Sequence, residues 1–415
     1  MKHLYDVRVL EPIHIFQIWN NKVKKRSEKS LEKAKISAYQ LFILIVLFEL
    51  GSALLVPLAI AANQDAWLAI LIGMVGGFCL YLVYHGLYSY YPDLPPTEYI
   101  QKILGSFLGK ILSFIYILYF IYLSARVLRD FGEMLITSFY WETPLFILNT
   151  LMVLLVIYTI RKGIEVLART SELLFVLIIL LGISALFLIV VSGIIQISNL
   201  EPVLEEGIKP VIKTTFIQTL YFPFGEVVIF SMILPYLNRP EKAKRIGLFA
   251  IGFSGLILAS VMAINVSVLG VNNITRSPFP LLSTIQTIEV AGFLERLDVY
   301  FILVSVIGVF FKMCVFFYAS VVGTASLFKV KDSARLAFPL GLAILILSIT
   351  IASNFSEHVK EGLHLITLYL HLPFQVIIPI LLLLIAFIKN KKKKSKHNKN
   401  LLPKRKYRLV ERDKN

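Results

Sequence analysis

One short stretch limits what this chain can fold into. Tyr221-Phe222-Pro223-Phe224-Gly225-Glu226 interrupts an apolar run from about residue 210 to residue 237. Pro removes a backbone donor and clashes with the preceding helical turn, while a buried Glu requires a partner. At membrane depth, unpaired backbone is tolerated only where it faces protein or a water-filled cavity. The stretch predicts a helix broken in two, with its exposed groups facing a ligand; a kinked but continuous helix is the alternative.

The first long apolar segment, residues 36–62, has a matching interruption. It contains Phe48-Glu49-Leu50-Gly51-Ser52 followed by Pro57, just as Gly225-Glu226 is followed by Pro235. Interruptions in corresponding positions of two halves indicate an inverted-repeat transporter fold, with a binding site near the bilayer midplane.

The composition is that of a membrane protein. Apolar residues make up 57% of the 415 residues and charged residues 16%, which excludes an ordinary soluble domain. We expect an all-α integral membrane protein with about ten transmembrane helices. The predicted spans are 36–62, 66–90, 110–139, 144–160, 172–192, 210–237, 246–270, 297–328, 336–353 and 368–388.

Basic residues cluster at the two ends of the chain. Nine Lys and Arg lie in residues 2–35 and thirteen in residues 389–414. Basic runs that abut a span typically contact anionic lipid, so we expect lipid and not nucleic acid as their partner. The connections predicted outside contain few basic residues; the exceptions are Arg276, Arg296 and Lys360, and Lys209 and Lys213 lie near the mouth of the sixth span. Both termini are therefore predicted to be cytoplasmic. The predicted divisions are a basic arm (1–35), a transmembrane domain (36–388) and a basic tail (389–415).

No motif typical of catalysis, phosphate binding or metal coordination is present. The two cysteines, Cys79 and Cys314, lie in apolar segments, and the seven histidines are scattered. We interpret His364 and His371 as interface residues. The sequence therefore predicts a protein that is not an enzyme and needs no cofactor or metal.

Three charged residues lie in the middle of predicted spans. Glu49 and Glu226 lie at the two interruptions, and Lys312 lies within the eighth span. A lone ammonium at that depth is unfavourable, so Glu226 or Glu49 is the expected partner of Lys312. These three residues are the candidates for proton or ion coupling; a purely structural Lys312 is the alternative.

The third span carries two further pairs at i,i+4 spacing, Arg126/Asp130 and Arg129/Glu133. That spacing allows each pair to form on one helix. We expect them to line a water-accessible vestibule or to hold helices together.

A broken helix offers binding groups of both polarities. Free N–H groups are expected near Ser52 and Glu226, where they favour an anionic group, while carbonyls near Phe48 and Phe222 suit an ammonium. An α-amino acid has that polarity. The aromatic residues expected around its side chain are Tyr119, Phe222, Phe224 and Phe316.

The longest connection predicted outside, residues 272–296, contains an amphipathic stretch from Leu281 to Leu294. A connection of this length with its own helix is interpreted either as a lid or as a plain surface loop.

Five short motifs occur in an order that resembles a known family. They are Lys35-Ile-Ser-Ala-Tyr-Gln40, Leu50-Gly51 with Pro57, Pro202-Val-Leu-Glu-Glu-Gly207, Phe224-Gly-Glu-Val227 and Phe293-Leu-Glu-Arg-Leu-Asp298. Over about residues 35–390 the chain resembles the spore germination receptor B subunits (GerAB-type) of the amino acid–polyamine–organocation transporter superfamily.

The resemblance implies a LeuT-like 5+5 inverted repeat with discontinuous helices 1 and 6, in the inner membrane of a bacterial spore. It also implies a small germinant, commonly an amino acid, and partner A and C subunits. With Phe222 added from the aromatic candidates, the implied ligand-binding residues are Leu50, Gly51, Ser52, Tyr119, Leu123, Phe222, Pro223, Gly225, Glu226, Lys312 and Phe316. Lys312 departs from the family pattern, because a small polar residue is expected there.

Two functions fit this fold and pocket, and a third is weaker. A receptor subunit would bind a germinant and signal to its partners. A proton-coupled amino acid transporter would use Glu49, Glu226 or Lys312 as the titrating group. A scaffold with a vestigial pocket would tolerate substitution at Gly225 and Glu226.

Overall fold

Helices make up nearly all the regular structure of the computed structural model, which describes residues 35–288 and 297–401. The α-helices are α1 (Ala38–Leu50), α2 (Ala66–Tyr90), α3 (Pro96–Leu104), α4 (Ser106–Ser138), α5 (Leu145–Arg161), α6 (Ile164–Val191), α7 (Ile208–Thr214), α8 (Ala243–Ile274), α9 (Pro280–Gln286), α10 (Asp298–Phe328), α11 (Ala337–Thr350), α12 (Phe355–Glu361) and α13 (Ile378–Leu401). The 3₁₀ stretches are Ser52–Leu54, Ile60–Asp65, Ile197–Leu200, Phe224–Met232, Leu234–Tyr236, Pro240–Lys242 and Ser333–Leu336. Thr215–Thr219 and Gly362–Ile377 are π-helical.

Eight helical segments in the described ranges are long and apolar enough to cross a membrane. Two shorter apolar segments, Ala38–Leu54 and Leu145–Arg161, coincide with the first and fourth predicted spans. The count of ten spans and the three-part division of the chain stay predictions. Residues 1–34 of the basic arm and 402–415 of the tail lie outside the described residues, and α13 continues past residue 388 to Leu401.

Three segments form the centre of the bundle. Every residue from Ile43 to Leu50 in α1, from Phe224 to Met232, and from Ile307 to Gly323 in α10 is buried. An apolar helix that is buried on all sides belongs in a core, whereas α6 exposes Leu173 and Phe187 on an apolar surface suited to lipid. The interrupted segments therefore lie where a ligand site would be enclosed.

The first segment is α-helical only in its first half. Ser37 begins α1 with a capping box, in which its Oγ accepts from the Gln40 N–H and its own N–H donates to Gln40 Oε1. After Leu50 the backbone of Gly51 packs against α10, so closely that a Cβ there would lie 3.0 Å from the Gly308 carbonyl oxygen. Only a glycine allows this approach. The regular α-helix of the predicted span 36–62 thus ends at Leu50, beside the predicted interruption.

The sixth segment changes conformation several times. After α7 and the π-helical turn, a non-helical turn over residues 220–223 leads into the 3₁₀ stretch Phe224–Met232. Its far end is tied to the start of the first segment, because the Ile36 N–H donates to the Tyr236 carbonyl (2.9 Å) and the Asn238 N–H donates to the Ile36 carbonyl (3.0 Å). The two interrupted segments are thus fixed to each other.

The tenth predicted span holds a feature that sequence reasoning missed. The stretch Gly362–Ile377, which runs into the start of that span (368–388), is π-helical and contains Pro373. Pro within a helix removes a backbone donor, and π-helical turns often occur at functional sites. The proline inside an apolar run was the available signal.

The connection proposed as a lid is only partly described. Its first part forms α9, which is buried against α8, where Thr284 Oγ1 donates to Asn265 Oδ1 at 2.9 Å. Residues 289–296 lie outside the described residues, so the lid and surface-loop alternatives both stay open.

One of the two charge pairs predicted in the third span is confirmed. Arg129 and Glu133 form a buried ion pair at 2.6 Å, and Arg129 Nη1 donates to the Ile349 carbonyl at 3.0 Å. The pair holds α4 against the end of α11. The predicted Arg126–Asp130 pair is wrong, because both side chains instead contact His358.

We expect Arg129→Met to destabilise the protein strongly, by about 3–5 kcal/mol, because it leaves the buried Glu133 carboxylate unpaired. Thermal unfolding in detergent measures the change in Tm. Arg169→Met is the matched control, since Arg169 forms an i,i+4 pair with Glu165 whose side chains are 70% and 46% exposed. Equal shifts in Tm for the two variants would contradict this role of Arg129.

Candidate functional site

A small cavity of about 90 Å³ lies where the first and sixth segments lose regular α-helix. Four of the predicted site residues line it: Ser52, Leu123, Phe222 and Glu226. The other lining residues are Val56, Pro57, Arg126, Val127, Asp130, Gln218, Val359, Gly362, Thr367 and His371. Ser52 Oγ is fully buried and has no hydrogen-bond partner in the described chain. A ligand in the cavity could supply that partner.

A buried ion pair lies beside the cavity. Lys312 Nζ is 2.5 Å from Glu226 Oε2, and the Lys312 side chain is fully buried. The ammonium also lies over the rings of Phe48 (4.8 Å) and Phe222 (4.5 Å), which stabilise it by cation–π attraction. Of the two expected partners of Lys312, the structure selects Glu226. Glu49 is fully buried, and neither of its carboxylate oxygens has a hydrogen-bond partner among the described residues.

The backbone at the sixth-segment interruption differs from the prediction of free N–H groups. The Gly225 N–H donates to the Tyr221 carbonyl at 3.1 Å, and the Glu226 N–H donates to the carbonyls of Tyr221 and Pro223. The N–H of Glu226 is therefore already satisfied. At this interruption the cavity presents the side chains of Phe222 and Glu226.

Other predicted residues do not line the cavity but pack against residues next to it. Gly51 packs on Lys312, and Phe316 contacts the Phe48 ring edge-on at 5.0 Å. Pro223 is buried within the turn of the sixth segment. Leu50 differs, because it lines a separate apolar groove between α6 and α8.

Tyr119 and Gly225 belong to a buried hydrogen-bond network that leads to the π-helical stretch. Gln375 Nε2 donates to the Tyr119 hydroxyl at 2.9 Å, and that hydroxyl is 2.8 Å from His371 Nδ1. The Tyr84 hydroxyl donates to the carbonyls of Gln375 (2.6 Å) and Gly225 (3.3 Å). His371, interpreted from sequence as an interface residue, therefore lies in the cavity wall and is held there by Tyr119.

The far side of the cavity is covered by α12 and the start of the π-helical stretch. Arg126 Nη2 donates to the His358 carbonyl at 2.8 Å, and His358 Nε2 is 2.8 Å from Asp130 Oδ1. Val359 and Gly362 complete this cover. The vestibule expected around Arg126 and Asp130 is thus a wall of the cavity itself.

Sequence reasoning missed Gln218 and His371, and it placed Arg126 and Asp130 in a vestibule. The signals available were polar residues inside apolar runs, since Gln218 lies in the sixth segment and His371 in the tenth. Which face of a helix such a residue occupies depends on the register between segments that are distant in the chain. The pattern of a single segment does not contain that register.

Comparison with known sequences identifies the family. The profile described as spore germination protein matches residues 35–356. This chain belongs to the spore germination protein family. The chain is 54% identical to spore germination protein KB of Bacillus subtilis (strain 168) over 363 residues. This match covers 88% of this chain and 97% of that protein. The chain is 23% identical over 331 residues to spore germination protein A2 of the same organism, covering 76% and 86% of the two chains. The resemblance to GerAB-type subunits is confirmed.

Solved structures show the fold of this spore germination protein. MhsT in complex with L-phenylalanine matches with a TM-score of 0.64 at 11% identity, over 85% of this chain and 89% of that chain. Mhp1, a nucleobase-cation-symport-1 family transporter in a closed conformation with bromovinylhydantoin bound, matches with a TM-score of 0.57 at 12% identity, over 80% and 75%. The predicted LeuT-like fold of a multi-pass membrane protein is confirmed.

We expect Lys312→Met and Glu226→Gln each to lower the free energy of unfolding by about 3–5 kcal/mol, because each leaves a buried partner unpaired. In the double variant, the loss in free energy of unfolding should be smaller than the sum of the two single losses, by about 1 kcal/mol or more. Denaturant unfolding in detergent completes this double-mutant cycle. Asp332→Asn serves as the control. Asp332 pairs with Arg335 at the surface, where the two side chains are 55% and 83% exposed, so this change should affect stability little. Strictly additive losses would show that the two groups do not stabilise each other.

Proposed function

We propose that this protein is the germinant-sensing membrane subunit of a spore germination receptor, and that it binds an α-amino acid in the cavity between the first and sixth segments. The observation that carries the proposal is the cavity itself. It combines the Ser52 hydroxyl, which has no hydrogen-bond partner within the described ranges, with charged groups of both signs. Arg126 offers a cation for a carboxylate, while Asp130 and Glu226 offer carboxylates for an ammonium. The solved structure of MhsT holds L-phenylalanine in a related fold, which supports the same ligand class.

The size of the cavity limits the ligand. A volume of about 90 Å³ is well below the roughly 300–1,000 Å³ of pockets for drug-sized molecules. An amino acid with a short side chain suits this space best. A longer side chain would require Phe222 or the cover over the cavity to move.

Signalling follows from unequal affinity for two conformations. A ligand shifts such an equilibrium only if it binds one state more tightly. In this proposal the bound amino acid favours the state in which the first and sixth segments close on it, and the A and C subunits respond to that state. The receptor would reside in the spore inner membrane with both termini in the cytoplasm and with the basic arm and tail against anionic lipid.

A proton-coupled amino acid transporter is the second candidate function. It is favoured by the buried Glu226–Lys312 pair together with Glu49, whose carboxylate has no hydrogen-bond partner in the described ranges. Two carboxylates next to one ammonium leave one acidic group uncompensated, and such groups in membranes mark proton pathways.

The two functions are separated by measuring binding and uptake with one preparation. The purified protein in liposomes is exposed to labelled amino acids, with and without an imposed proton gradient. Binding without accumulation supports the sensor, whereas gradient-driven accumulation supports the transporter. If no amino acid binds even when the A and C subunits are reconstituted with it, the assigned ligand class is wrong.

We expect Gly225→Val to abolish amino acid binding and the germination response while the protein stays in the membrane. A Cβ at Gly225 would lie 2.2 Å from Gln375 Oε1 and 2.9 Å from the Leu220 carbonyl oxygen, so the interruption would have to shift. Equilibrium binding and germination of spores that carry the variant provide the measurements. Gly182→Val in α6 is the control, because apart from the backbone of α6 itself no atom of the described residues lies within 4 Å of a Cβ there. An unchanged response in the Gly225 variant would refute the assigned site.

A further inference from the structure

A second cleft adjoins the cavity and shares one of its walls. Its volume is about 490 Å³, and its lining includes Ala61, Glu206, Lys209, Lys213 and Gln218. Gln218 also lines the cavity assigned to the amino acid. Gln218 therefore borders both spaces.

The chain segment between the cavity and the cleft makes a hydrogen bond to Gln218. Val56 and Pro57 line the cavity and Ala61 lines the cleft, so the turn from 56 to 61 separates them. Within that turn the Ala59 N–H donates to Gln218 Oε1 at 3.1 Å. Ala59 has a φ of 59°, in the left-handed region that residues other than glycine rarely occupy. A conformation of this kind persists only where surrounding contacts hold it, and the Gln218 amide is one such contact.

The cleft carries a net positive charge. Lys209 and Lys213 are one turn apart on α7, both side chains are exposed, and neither has an acidic partner within ion-pair distance among the described residues. The one carboxylate in the lining, Glu206, accepts from Asn63 Nδ2 at 3.3 Å. The two lysines are also exceptions to the scarcity of basic residues expected at this end of the bundle. Unpaired charges lining a concave surface raise the local concentration of ions of opposite sign.

We propose that this cleft is the entrance to the cavity for small solutes that carry a carboxylate or a similar anionic group, and that Gln218 closes the passage. Lys209 and Lys213 attract the anionic end of the solute. Release of the Ala59 N–H from Gln218 lets the turn 56–61 move and admits the solute. This proposal rests on the proposed function in one respect: it takes the cavity as the site that the solute reaches.

The test measures access to the cavity and needs no identified germinant. Ser52→Cys is placed in a background with Cys79→Ala and Cys314→Ala, in nanodiscs of zwitterionic lipid at low ionic strength. The probes are two thiol reagents of similar size, anionic sulfonatoethyl methanethiosulfonate and cationic trimethylammonium-ethyl methanethiosulfonate. Leu123→Cys in the cavity wall is the second reporter if the Ser52 variant does not fold.

Lys209→Gln with Lys213→Gln should slow the anionic reagent by about threefold to tenfold and leave the cationic reagent unslowed. Lys242→Gln with Lys244→Gln, at the other end of the sixth segment, is the matched control and should change neither rate. Gln218→Ala should accelerate both reagents by opening the passage. Gln218→Glu keeps an acceptor for Ala59 and should slow only the anionic reagent.

Three results would overturn the proposal. The first is an anionic rate that stays within about twofold of the parent rate when both lysines are neutralised. The second is that Gln218→Ala does not increase the rate at which either reagent modifies the reporter cysteine. The third is a lysine effect that appears only in nanodiscs containing phosphatidylglycerol, which would assign the lysines to lipid headgroups. If amino acids bind the protein while these rates do not change, the binding site stands and the entrance lies elsewhere.

Discussion

The ion pair between Lys312 and Glu226 is the interaction on which the centre of this protein depends. It joins the middle of α10 to the interruption of the sixth segment, and Phe48 of α1 covers the ammonium. Removing a charge from water is costly, and the opposite charge of the partner offsets part of that cost for each of the two residues. Gly51 and Gly308 allow the backbones of α1 and α10 to approach closely beside the pair. The pair therefore fastens the interruption of the sixth segment to α10 beside the cavity.

The interrupted segments are positioned by contacts at several points along their length. At one end, Ile36 pairs with the backbone of Tyr236 and Asn238. Near the interruption, the hydroxyl of Tyr84 connects Gly225 to Gln375 in the π-helical stretch. These hydrogen bonds satisfy backbone groups that regular α-helix would have paired internally. An interruption is thus compatible with a stable bundle only because neighbouring helices supply the missing partners.

Two sides of the cavity are covered by elements that hydrogen bonds hold in place, and this bears on how a sensor or a transporter would operate. Arg126, His358 and Asp130 fasten α12 over one side, and the Gln218–Ala59 hydrogen bond fastens the turn 56–61 on another. Both elements also carry apolar packing: Leu58 of the turn is fully buried, and the Phe355 ring of α12 lies 5.7 Å from the Phe279 ring. Opening either side would therefore break hydrogen bonds and disturb apolar packing together.

The fold class, the two interruptions and the importance of Glu226 and Lys312 could be predicted from sequence, because Pro, Gly and charged residues are physically unfavourable in an apolar span unless they have a special role. The same reasoning restricted the partner of Lys312 to two carboxylates. Choosing Glu226 over Glu49, and pairing Asp130 with His358 instead of Arg126, required the folded chain. So did the placement of Gln218 and His371 in the cavity wall and the π-helical start of the tenth segment. These features depend on the register and rotation of helices that are up to hundreds of residues apart in the chain, and no local pattern specifies them.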